Sequence, residues 1–245
     1  MIDYVNQVMN NNWENIIPEL PPKIFDLIYI DPPYEMEYLS NIPGSKEWNK
    51  KGVAESSKFS EPLQNDKLGY VSWEKLANES FRTLKNDTYM FIHCNIPLLM
   101  NRGMEFVKAG FKYKGCVVWN KRSAIGGDLR GSMKNDWEPI LYLAKGKPRF
   151  NQVIVTRENK LEIRKRISEI MDWEFSVMAQ SKDGFPTQKP INLAKQIINL
   201  STQKGGLVAD FFAGSNTALK AAKELERNYF GVEIDETYYN KFKEF

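Results

Sequence analysis

Apolar positions fall into short runs separated by polar turns, and the runs alternate between two periods. Ile24-Phe25-Asp26-Leu27-Ile28-Tyr29-Ile30 and Thr88-Tyr89-Met90-Phe91-Ile92-His93-Cys94 are rich in β-branched and aromatic residues, as buried strands are. Lys112–Trp119, Pro139–Leu143, Gly206–Asp210 and Tyr229–Glu233 share this character. Between them lie helical patterns. One is opened by Ser72 and carries Leu76, Phe81 and Leu84 as its stripe; Ile96–Ala109 is stopped by Gly110; Ile191–Leu200 is entered through Pro190. Arg157–Met171, Asn216–Leu225 and Thr237–Phe242 also predict helices, the first with a strongly basic polar face. This alternation predicts an α/β fold with a mainly parallel sheet flanked by helices, one domain over residues 1–245. Residues 35–70 and 121–183 read as long loops or insertions, which in compact domains usually carry function.

Composition narrows the class. Hydrophobic residues make up 42% and charged residues 27%, as in ordinary globular proteins, which excludes disordered and fibrous chains. No apolar stretch is long enough to span a bilayer, and the first residues lack the basic flank and apolar run of a secretory signal. With two cysteines, Cys94 and Cys116, a cytoplasmic, reducing location is expected. His93 is the sole histidine, which disfavours His-rich metal sites and Ser-His-Asp chemistry. The net charge of +3 is unevenly spread: residues 112–166 hold fourteen basic and five acidic residues, so this segment carries +9 and the rest −6. Such asymmetry points to a polyanionic partner, although a solvated basic face would look the same.

Two motifs carry chemistry. Asp31-Pro32-Pro33-Tyr34 follows an apolar strand, and ligands of open α/β sheets bind beyond the carboxyl ends of strands. The prolines stiffen the turn and remove backbone donors, leaving a carboxylate, free carbonyls and an aromatic ring side by side. That set suits a flat heterocycle bearing an amino group. The second motif is the strand and turn Leu207 to Thr217, then a helix, then Tyr229-Phe230-Gly231-Val232-Glu233. Glu233 lies 19 positions after Gly214, close to the spacing between a nucleotide-binding turn and a ribose-binding carboxylate. Only one glycine stands in the turn, so a nucleoside without a pyrophosphate fits it better than a dinucleotide.

Together these residues resemble the amino-methylating DNA methyltransferases that use S-adenosylmethionine (AdoMet). Asp-Pro-Pro-Tyr precedes Asp210-Phe211-Phe212-Ala213-Gly214-Ser215, as in the permuted β class of that family. Phe185-Pro186-Thr187-Gln188-Lys189-Pro190 is similar to the family's His-Pro-Thr-Gln-Lys-Pro element. The segments Ser80 to Cys94 and Trp137 to Gly146 are similar to its pocket-wall segment and its His-Glu…Lys-Gly strand. Phe185, Trp137, Asn216 and Asn12 depart from the family's usual His, His, Gly and Asp.

The resemblance implies a Rossmann-like AdoMet-dependent methyltransferase fold. It implies that Asp31 and the Pro32 carbonyl, supported by Pro33, hold the target amine while Tyr34 stacks on the base. Asn12, Asp31, Asp210, Phe211, Phe212, Gly214, Ser215, Asn216 and Glu233 would hold AdoMet, with Thr187 and Lys189 near its amino-acid end. No metal is required. Residues 35–70 and 121–183 would face DNA, with Arg157, Lys160, Arg164 and Lys165 on one helical face against phosphates. Asp-Pro-Pro-Tyr is commoner in the adenine-N6 branch, so adenine N6 is the expected target and cytosine N4 the alternative. A rival of another class is an inactive DNA-binding partner subunit with a methylase fold. An RNA substrate and a homodimer are both compatible with the same residues.

Overall fold

The computed structural model describes residues 3–35, 69–121, 137–151, 154–157, 160–163, 170–172 and 188–245. Its core is a sheet of eight strands with helices on both faces. The strands are β1 (Gln7–Asn10), β2 (Phe25–Ile30), β3 (Leu84–His93), β4 (Lys112–Asn120), β5 (Trp137–Lys145), β8 (Ile170–Asp172), β9 (Leu207–Asp210) and β10 (Asn228–Glu233), in the order β1-β10-β9-β2-β3-β5-β4-β8. All neighbours run parallel except β5, which is antiparallel to β3 and β4. Strand alternation divides the core. Ile28 and Ile30 of β2, Met90 and Ile92 of β3, and Ala209 of β9 face one layer. Leu27, Tyr29, Tyr89, Phe91 and Val208 face the other.

The first layer holds the short helix α1 (Trp13–Ile16), α2 (Trp73–Thr83) and α3 (Ile96–Lys108). The second holds α4 (Ile191–Ser201) and α5 (Thr217–Glu224), while α6 (Glu236–Phe242) lies near the β1–β10 edge. Asn95 caps α3 by accepting from the Leu98 amide at 2.7 Å. Ser72 starts α2 with its carbonyl, which accepts from the Leu76 amide, and its side chain makes no capping bond. At Gly231 of β10 a Cβ would overlap Leu219 of α5, so glycine there lets the helix pack close to the sheet.

The crossover after β2 goes to the first layer and that after β9 to the second, although β2 and β9 are hydrogen-bonded neighbours. A crevice opens where such connections diverge. The carboxyl ends of β1, β2, β3, β9 and β10 lie along one rim, and antiparallel β5 brings its first residues to it, with Ile140 paired to His93.

One expected element is overturned. Residues 154–163 form not helix but an antiparallel pair, β6 (Ile154–Arg157) and β7 (Lys160–Ile163), with Arg157 opposite Lys160. Ile170–Asp172 then pairs with β4. The β-branched and alternating residues Ile154-Val155-Thr156 and Leu161-Glu162-Ile163 satisfy strand pairing. The single helical face on which Arg157, Lys160, Arg164 and Lys165 were expected therefore does not form, and Arg164 and Lys165 lie outside the described residues. The sheet also gains β1, Gln7-Val8-Met9-Asn10, too short for its two apolar residues to mark a strand.

Candidate active site

A cavity of about 570 Å³ opens on this rim. At one part of it β2 ends in Asp31-Pro32-Pro33-Tyr34, all four lining the wall. The Tyr34 hydroxyl lies 2.8 Å from Asp31 Oδ1 and 2.7 Å from Glu138 Oε1, so one proton serves two carboxylates. Lys189, just before α4, donates to the Tyr34 oxygen at 3.0 Å. Its Nζ is also 2.9 Å from Glu138 Oε1 and 3.3 Å from Asp31 Oδ1. Behind Glu138 stands His93, whose Nδ1 is 3.1 Å from Glu138 Oε1 and whose Nε2 is 2.7 Å from the Tyr29 hydroxyl.

The electrostatics of this group are set by burial and by each other. Against the cost of burial, Lys189 and His93 hold the Glu138 carboxyl well below the usual range. Burial likewise disfavours the Lys189 ammonium, but Asp31 and Glu138 push it above its ordinary value. Burial, then the neighbouring carboxylates, raise Tyr29 and Tyr34, so both phenols stay protonated. Asp31, His93 and Glu138 offer ligand atoms within 4.8 Å of one another, a spacing that could hold a metal. The Lys189 ammonium already supplies positive charge between the two carboxylates.

The rest of the cavity is built by β9, β10 and α1. Asp210 is 5% exposed; its Oδ1 accepts from the Phe212 amide at 3.0 Å, and burial with nearby Asp31 and Glu233 pushes its carboxyl up to about 8. Glu233 accepts from the amides of Gly214 at 2.7 Å and Asp235 at 2.8 Å, one on each oxygen. Burial raises its carboxyl although the amides of Asp235, Gly214 and Ile234 oppose this, and acceptor capacity remains for a ligand. Trp13, Phe212, Tyr70 and Tyr238 provide aromatic wall. Asn12 lines the cavity while its Oδ1 caps α1 by accepting from the Glu14 amide at 2.9 Å. Ser215 and Phe211 line it too, though both are nearly buried. The residues fit AdoMet: a carboxylate-lined cleft for a cation, a fixed acid for ribose hydroxyls, and aromatic surface for a purine.

Of the expected cofactor residues, Lys189 lines the cavity and Asn216 does not line it. Asn216 adopts the left-handed conformation at φ 59° in place of glycine, and its Nδ2 donates to the Phe242 carbonyl, tying the turn to α6. Lys189 meets the Asp31 cluster. Thr187 lies outside the described residues. Of the basic residues, Lys145 turns inward: it is 7% exposed, and its ammonium caps the end of α2 through the carbonyls of Phe81 and Leu84.

The sequence motifs leave out Glu138, His93 and Tyr29 as site residues. They also leave out Glu35. That residue, directly after Tyr34, has φ 53° and is 6% exposed. Its carboxylate accepts from the Gly69 amide at 3.1 Å and the Trp73 indole at 3.0 Å, and pairs with Arg102 at 3.2 Å. The end of the tetrapeptide is thereby bolted to α2 and α3.

The chain matches the DNA methylase (N6/N4) family model over residues 25–244. It is 25% identical over 246 residues to the Type II methyltransferase M.HinfI of Haemophilus influenzae, covering 96% of this chain and 67% of that one. Its fold is similar to the M1.HpyAVI–SAM complex, with TM-score 0.63, 21% identity and 97% of each chain covered. It is also similar to PvuII DNA methyltransferase, described as cytosine-N4-specific, with TM-score 0.68, 15% identity and 98% and 86% covered. A family match spanning nearly the whole chain, over a fold shared with these enzymes, places this protein in the N6/N4 DNA methylase family, the AdoMet-dependent amino DNA methyltransferases.

Proposed function

We propose that the protein methylates the N6 amine of adenine in DNA at a fixed sequence. The observation that carries this reading is that Asp31-Pro32-Pro33-Tyr34 and the anchored carboxylate of Glu233 line one cavity. Bound AdoMet supplies an electrophilic methyl group on a sulfonium. Asp210, Phe211, Phe212, Gly214 and Ser215 would surround it with Asn12, and Glu233 would accept from its ribose hydroxyls. Asp31 and the Pro32 carbonyl accept the two hydrogens of the target amine. This orients the nitrogen lone pair, which is otherwise delocalised into the ring, so catalysis is mainly positioning. As nitrogen bonds to the methyl carbon, the carbon–sulfur bond would break to leave a neutral thioether, and Asp31 would accept the extra proton that the nitrogen then carries. Tyr34 leaves its contact with Asp31 to stack on the base, which must come out of the duplex to reach the rim. The basic segment, including Arg157, Lys160, Arg164 and Lys165, contacts phosphates.

Adenine is preferred over cytosine because Asp, rather than Ser, precedes Pro-Pro-Tyr. The test is incubation of the protein with DNA and labelled AdoMet, digestion to nucleosides, and mass spectrometry. N6-methyladenine supports the proposal, N4-methylcytosine replaces the target, and the absence of label in DNA favours an inactive partner subunit.

A further inference from the structure

The cluster behind Asp31 has a shape that its role as cavity wall does not require. A buried ammonium and a buried carboxylate each cost free energy unless well paired. Here Lys189 and Glu138 have side chains only 13% and 12% exposed. The ammonium has three N–H bonds, and Glu138, the Tyr34 oxygen and Asp31 lie 2.9, 3.0 and 3.3 Å from it. Both contacts of Asp31, from Tyr34 and from Lys189, fall on Oδ1. Glu138 in turn is fixed by His93, which is itself fixed by Tyr29, and His93 is 1% exposed. The Glu138 carboxylate accepts from His93 Nδ1, and the Tyr29 hydroxyl lies against Nε2 on the far side of the ring.

We propose that Lys189 and Glu138 are positioning residues for Asp31: Lys189 holds Oδ1, and Glu138 holds Lys189. Oδ2 is then presented to the target amine. The inference rests on Asp31 being the amine acceptor. Asp31 faces Lys189, Glu138 from β5, Asp210 from β9, Tyr34 on its own turn, and the His93–Tyr29 pair behind. Of these, Lys189 brings a positive charge next to Asp31 and Glu138 a like charge behind it.

The two positioning residues have opposite signs, and this separates positioning from general damage. In Lys189→Met the protonation midpoint of Asp31, followed by carboxyl carbon NMR and assigned with Asp31→Asn, should rise by about one pH unit or more. In Glu138→Gln, which keeps the size and removes the like charge, it should fall. Turnover in Lys189→Met should drop about 10²-fold above pH 7, its acid limb moving to higher pH, while AdoMet affinity stays within about threefold. The NMR titration decides the inference whether or not the wild type methylates DNA; labelled methyl transfer by the wild type decides the underlying reading. Unmoved midpoints, or midpoints moving the same way in both variants, would overturn the proposal. So would a tenfold loss of AdoMet affinity in Lys189→Met, which would return that residue to the cofactor.

Discussion

The Gly214 amide donates to Glu233 Oε2 across 2.7 Å, joining the turn after β9 to the end of β10. Gly214 has φ 51°, a conformation in which a side chain would be strained, and this aims its N–H at the carboxylate. One carboxylate therefore shapes the turn and offers its remaining lone pairs to a ligand. Glu233→Ala should weaken AdoMet by about 1.5–3 kcal/mol, the scale of a hydrogen bond to a charged group. Calorimetry measures this, and unchanged affinity would place the ribose elsewhere.

Asp31→Ala should lose about 10²–10⁴ in turnover. AdoMet should still bind, because most of its pocket comes from β9, β10 and α1. Single-turnover kinetics with equilibrium binding separates the two; near-normal turnover would remove Asp31 from catalysis.

Asp210 titrates near pH 8 in the free protein, so at pH 7 it is mostly protonated. A cationic ligand favours the carboxylate, so AdoMet binding should release a proton below about pH 8 and weaken as pH falls. Stability of the free protein has the opposite trend. A raised carboxyl supports the fold fully below its unfolded value, and that contribution is lost as pH rises through the folded value of about 8. Calorimetry in two buffers of different ionisation enthalpy should detect the proton, and Asp210→Asn should abolish it.

Charge-removing changes at Lys160, Arg164 and Lys165 should weaken all DNA sequences nearly equally. Each lost phosphate contact should reduce the slope of log affinity against log salt by about 0.9 on duplex DNA. This now rests on the charge of the segment, since its helical face is gone. An unchanged slope would mean that these residues do not touch DNA.

Glu35→Ala should destabilise the protein by about 1.5–3 kcal/mol, because the Trp73 indole and Arg102 lose a charged partner. Arg102, a third exposed, recovers water and keeps the loss at that scale. Urea unfolding gives the number, and no change in midpoint would contradict the clamp.

The central strands were legible as apolar runs rich in β-branched and aromatic residues, and α2 to α6 by their helical pattern, whereas α1, with four residues, has no such pattern. The site was half legible. Asp31 to Tyr34 and Glu233 stand in local motifs whose spacing carries their chemistry. Glu138, His93 and Lys189 meet only because antiparallel β5 begins where β3 ends and α4 starts on the same rim. No local spacing encodes that meeting. Ile163, Ile167 and Ile170 imitate a helical stripe, while β6 and β7 have four residues each, too few for a two-residue period to outweigh it.

The bond from Gly69 to Glu35 has a consequence for how such an enzyme can change. Glu35, directly after the Asp31–Tyr34 tetrapeptide, and Gly69 are thereby neighbours in space, and both keep their places relative to Asp31. Doubling the length of chain between two ends already held together adds only about 0.6 kcal/mol of closure entropy. Insertions, deletions and exchanges between these two positions are therefore cheap, and the residues of the rim can persist while the sequence between Glu35 and Gly69 diverges, as a tool keeps its motor when the bit is changed.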